Sequence, residues 1–162
     1  MIQLEQEIPV ESARANSVVI AGRRYRKSRA CSSCRLLVFW KDYVVKVGDQ
    51  GSYEVDRWNR IRPEHAKYFV PIEASGMLRW EENDTTGSFS ERTAWVAQRR
   101  IPVRHLVPLG LRDEIKRSYA ILQGVAGDYG VIDIDYWETP RGMALHNWTL
   151  FKGIPVIYDY GF

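Results

Sequence analysis

Asn147 and Asp159 stand twelve residues apart, at the two ends of a stretch that reads as a β-hairpin. Short apolar segments flank the turn signal Phe151-Lys152-Gly153, a pattern that joins antiparallel strands. A hairpin brings its open ends together, so an amide oxygen and a carboxylate fall side by side there. Hard oxygen donors placed this way suit a phosphate-bound Mg²⁺. Upstream, Lys46 lies inside the apolar strand Val44-Val45-Lys46-Val47. An ammonium in such a setting needs an anion, and Glu54 on the following helical pattern can supply one. The plainer alternatives are a lysine on the solvent face of an edge strand and an exposed carboxylate beside Asp56. Phosphoryl transfer calls for this inventory: a cation on the phosphates, an anchor for that cation, metal ligands and a group that orients the nucleophile.

These side chains need elements to hold them. Residues 1–15 read as a polar lead-in. Alternation marks a strand at 18–26, small residues mark a turn at 30–34, and apolar or aromatic runs mark strands at 36–40 and 43–47. Glu54, Val55, Trp58 and Ile61 recur at helical spacing before Pro63. Strands are expected at 68–72, 77–80 and 93–98, with a polar loop at 83–90. Pro102, Pro108 and Gly110 mark a connector. Asp113 is expected to cap a helix that buries Ile115, Tyr119, Leu122 and Val125. Gly124, Gly127 and Gly130 end it. Residues 131–134 read as a short strand and 136–145 as irregular. This order predicts an α+β arrangement, with a sheet-rich first lobe and a mixed second one.

Composition narrows the classes. The chain has 162 residues, 45% of them hydrophobic, enough for one domain or two small lobes. A net charge of +3 gives mild support for an anionic partner. No apolar run is long enough to span a membrane, and the acidic start lacks a leader pattern. The expected location is cytoplasmic. Cys31 and Cys34 form one pair, while a zinc site needs about four ligands. They read as reduced thiols in a turn.

Taken in order, Lys46, Glu54, Asn147 and the tripeptide Asp159-Tyr160-Gly161 resemble the protein-kinase-like fold, and its compact bacteriophage-encoded members above all. The resemblance implies a reduced kinase-like fold: an antiparallel-sheet N-lobe with one helix over 17–101, and a truncated C-lobe of one long helix and a β-hairpin over 102–162. It implies ATP and Mg²⁺ as cofactors. Lys46 would hold phosphates with Glu54 as its anchor, and Asn147 and Asp159 would bind the metal. Residues 93–102 resemble the strand and hinge that take adenine.

There are departures. The family places its catalytic Asp five residues before the Asn, and that position here is Gly142. No acid occupies 139–146, so Asp135 or Asp133 must be returned to the site by a loop insertion over 137–145. His146 is a chemical substitute as a base. A glycine-rich phosphate loop is replaced by Ala30-Cys31-Ser32-Ser33-Cys34, and the sequence stops soon after the metal motif. These departures favour a pseudokinase, a module that binds and inhibits a host protein with or without nucleotide. The alternative is a minimal ATP- and Mg²⁺-dependent phosphotransferase. A second alternative is a nucleic-acid-binding protein that uses the run Arg23-Arg24-Tyr25-Arg26-Lys27-Ser28-Arg29 to track phosphates. No membrane partner is expected, and a phage-encoded chain would work in the host cytoplasm.

Overall fold

The computed structural model describes residues 8–28, 36–81, 90–104 and 106–160. The turn at 30–34 with Cys31 and Cys34, the loop at 83–89, His105 and Gly161 lie outside them. The described chain is α+β, mostly sheet with few helices. It forms two compact units. One comprises the described residues up to Asn59 together with Pro71–Arg100, the other Arg60–Val70 with Ile101–Tyr160.

The first unit is a seven-stranded sheet in the order β3-β2-β1-β6-β7-β5-β4. Its strands are β1 (Val10–Arg14), β2 (Ser17–Ile20), β3 (Arg23–Arg26), β4 (Leu36–Trp40), β5 (Tyr43–Val47), β6 (Ile72–Glu81) and β7 (Ser90–Arg99). Val10–Arg14 is thus a strand rather than a polar lead-in, with Ala13 wholly buried. The expected strand at 18–26 is a hairpin, because Ala21 and Gly22 take positive φ between β2 and β3. The strand expected at 77–80 is the second half of β6. Residues 68–72 are not a strand: Pro63–Tyr68 is a 3₁₀ helix with Pro at its start. The sheet is mixed, not antiparallel throughout, since β1 runs parallel to β6.

Alternation decides the faces. Val18, Ile20, Val38, Val45, Leu78, Trp80 and Trp95 point to one side and form the core. Burying each aliphatic side chain there contributes about 1.5–3 kcal/mol. The other side of β5 and β7 carries helix α1 (Gln50–Arg60). Gly51 permits that close approach, because a Cβ there would lie 3.2 Å from Val96 Cγ1.

The second unit carries helix α2 (Arg112–Asp128), a three-stranded sheet in the order β8-β10-β9, and a two-stranded hairpin. The sheet uses β8 (Leu106–Val107), β9 (Tyr136–Thr139) and β10 (Gly142–Leu145), and the hairpin β11 (Trp148–Phe151) and β12 (Ile154–Ile157). Three local expectations change here. Residues 136–145 are an ordered hairpin. Residues 131–134 form no strand, although Val131 and Ile134 are buried. Leu111, not Asp113, stands at the N-cap of α2, and Asp113 and Glu114 fill its first turn, where the helix dipole favours acids. Gly124 and Gly127 lie within α2, and Gly130, at φ 69°, follows its end. Among the described residues no helix is long and apolar enough to cross a membrane.

Candidate functional site

Lys46 is an inner-strand residue. Its strand β5 lies between β4 and β7, with Lys46 opposite Leu37 and Val96. That removes the edge-strand alternative. Gly51 seats the first turn of α1 beside Val96, and Glu54, three residues on, shares its helix face. Lys46 Nζ donates to Glu54 Oε1 at 2.6 Å, with Lys46 8% and Glu54 2% exposed. Both charges are nearly out of water, which makes the pair costly to break.

The second unit gathers the remaining candidates. Asn147 sits between β10 and β11 at φ 62°, a left-handed conformation that Asn tolerates better than most residues. Its Nδ2 donates to the carbonyl oxygen of Asp133 at 2.8 Å and to Asp133 Oδ2 at 3.3 Å. Its own carbonyl accepts from the N–H of Tyr158 at 3.0 Å and of Asp159 at 3.4 Å. One asparagine therefore ties the half-exposed carboxylate of Asp133 to the backbone of Asp159. Its amide Oδ1 is left as an acceptor.

The hairpin β9–β10 makes this possible. The N–H of His146 bonds the carbonyl of Asp135 at 2.9 Å and closes the hairpin, so fourteen residues of sequence return nearly to their start. Gly142, where the family would place its acid, is buried on β10 with φ 149°. A Cβ there would run into the carbonyl oxygen of Val107. No acid can stand at that position in this fold.

Asp135 goes elsewhere. Its carbonyl accepts from Trp148 Nε1 at 3.3 Å, and its carboxylate faces Tyr119. Burial, with Asp135 adding to it, pushes the Tyr119 hydroxyl above its ordinary pKa. Of the two acids expected from sequence, Asp133 is the one brought to Asn147. His146 Nδ1 lies 3.1 Å from Asp133 Oδ1, so the histidine packs against this acid.

Tyr160 carries an anchor that sequence reasoning missed. It is fully buried, and its hydroxyl donates to the carbonyl of Val70 at 2.7 Å. Its ring meets Phe69 edge-on at 5.3 Å. The signal was the choice of Tyr where the resembled motif has Phe, since a buried hydroxyl requires a partner. The buried Thr149 was missed as well, and its Oγ1 accepts from the N–H of Arg104 at 3.1 Å.

Asn147 and Asp159 carry oxygen donors, the ligand type that Mg²⁺ takes, and the N–H of Asp159 meets the carbonyl of Asn147 at 3.4 Å. Among the described residues no group of three His, Cys, Asp or Glu could hold a metal by itself. Comparison with protein families, with curated proteins and with solved structures returns no match for this chain.

Proposed function

We propose that the protein is a minimal, kinase-like phosphotransferase dependent on ATP and Mg²⁺. The observation that carries this reading is the pair of hydrogen bonds from Asn147 Nδ2 to Asp133. One reaches the backbone carbonyl and the other the carboxylate, so an acid beside the asparagine supports the reading. Asp133 would orient an acceptor hydroxyl and take its proton. Asn147 and Asp159 would hold the metal, which neutralises charge on the transferring phosphoryl group.

A second reading has its own support. Both oxygens of Asp133 are engaged, one by Asn147 and one by His146. An acid so occupied fits a nucleotide-binding protein that does no transfer and acts by docking on another protein, a host protein if the chain is phage-encoded. Thermal melting with Mg-ATP tests what both readings share. At a ligand concentration ten times Kd, the native state gains about 1.4 kcal/mol. That raises the midpoint of a chain this size by roughly 3–6 °C. Asp159→Asn is expected to abolish the shift. An unchanged midpoint in millimolar Mg-ATP contradicts the phosphotransferase and any nucleotide-dependent docking, and leaves docking without nucleotide.

A further inference from the structure

The first unit also carries an arginine-rich surface, on the sheet face that bears Lys46 and, over β5 and β7, helix α1. Across the sheet, Arg24, Val19, Ser12, Arg79 and Arg92 form one continuous cross-strand row. The neighbouring row on the same face runs Arg26, Ser17, Arg14. Cross-strand partners share a face, and the flanking Ala13, Val18, Leu78 and Trp80 point into the core. These arginines therefore stand on the outer face of β3-β2-β1-β6-β7. Arg24, Arg26, Arg79 and Arg92 are exposed and Arg14 is half-buried.

Two features say what this face accepts. Arg79 and Arg92 are direct cross-strand partners, and like charges placed so are destabilising. Glu81 meets Arg79 Nη2 at 3.3 Å, which offsets part of that cost. The arginines of β3 are three strand steps from Arg79, about 14 Å, with the small residues Ser12, Ser17 and Val19 between them. Two sets of exposed guanidinium groups thus flank a strip of Ser12, Ser17 and Val19, in which the half-buried Arg14 adds a further positive charge. The major groove of a duplex is about 12 Å wide, with a phosphate row on each side. Tyr25 does not join this surface: it pairs with Val18 on the inner face and packs on the core. Without a stacking aromatic, the rows offer phosphate contacts and no base platform, unlike surfaces that hold single strands.

We infer that the outer face of β3-β2-β1-β6-β7 binds the backbone of double-stranded nucleic acid without sequence preference, through Arg24, Arg26, Arg79 and Arg92. The test is fluorescence anisotropy of the full chain with a labelled 20-base-pair DNA duplex, free of nucleotide and Mg²⁺, from 50 to 200 mM KCl. Four phosphate contacts predict a log–log salt slope of about −3.6, a loss of roughly a hundredfold in affinity over that range. Changing all four arginines to Ala should abolish binding, and changing all four to Lys should keep the slope. Single changes, Arg24→Ala and Arg92→Ala, should each flatten the slope by about 0.9. These keep the question answerable if the fourfold Ala variant does not fold. The inference is overturned if the duplex does not bind at 50 mM KCl, or if the single changes leave the slope untouched. It is equally overturned if a single strand of equal length, polyglutamate or phosphatidylserine vesicles bind more tightly than the duplex.

Discussion

At the scale of single residues, the buried pair Lys46–Glu54 is the clearest electrostatic commitment in the chain. Two charges at 2.6 Å, both nearly out of water, are costly to separate. Removing one partner of such a pair typically costs about 3–5 kcal/mol, because the other charge stays buried. Lys46→Ala is therefore expected to lower the denaturant midpoint of the first unit by an amount equivalent to about 3 kcal/mol. An unchanged midpoint in urea would mean that the pair is not load-sharing. Both residues were legible from sequence, since a lysine inside an apolar strand announces its need for an anion. Asn147 was also legible, but its partner was not. Asp133 and Asp135 differ by two positions in an apolar segment, and only the closed hairpin tells which one meets the amide.

At the scale of elements, β9–β10 is the piece that assembles the second unit's cluster. Its sequence does not announce a hairpin, since Pro140, Arg141 and Gly142 interrupt any apolar alternation. The register explains that break: Gly142 must lack a side chain to lie against Val107. Gly142→Ala combines a positive φ of 149° with a clash against backbone. Strain and overpacking together predict a loss of about 3 kcal/mol. A melt within a degree of the parent would contradict this account of the hairpin. The hairpin is also tied to α2. Glu138 on β9 accepts from Arg112 at 2.9 Å and Lys116 at 3.1 Å. Lys116, and after it Arg112, hold the Glu138 carboxyl below its usual range. A carboxyl with a lowered folded-state pKa stabilises above its unfolded pKa, and the benefit is lost as pH falls through the folded value. Glu138→Gln should therefore melt below the parent near neutral pH and converge with it in acid. A gap that persists at pH 2 would show that shape, not charge, explains the effect.

At the scale of the whole molecule, the described chain forms two compact units, and each is ordered by a different logic. In the first, the period-two pattern made most strands readable, while the mixed pairing of β1 with β6 joins residues far apart in sequence and leaves no local sign. In the second, α2 was readable from its period, but its start was not, since no side chain caps it. The kinase-like proposal rests on Asp133, Asn147 and Asp159 working together in the second unit. The measurement that tests it most directly is Mg²⁺-dependent loss of the γ-phosphate from radiolabelled ATP, to water or acceptor, by the parent, Asp133→Asn and Asp135→Asn. General-base catalysis contributes about 10²–10⁴-fold, so Asp133→Asn should fall at least a hundredfold, while Asp135→Asn keeps most of its rate. No Mg²⁺-dependent turnover in the parent, or an Asp133→Asn variant as fast as the parent, would contradict the account.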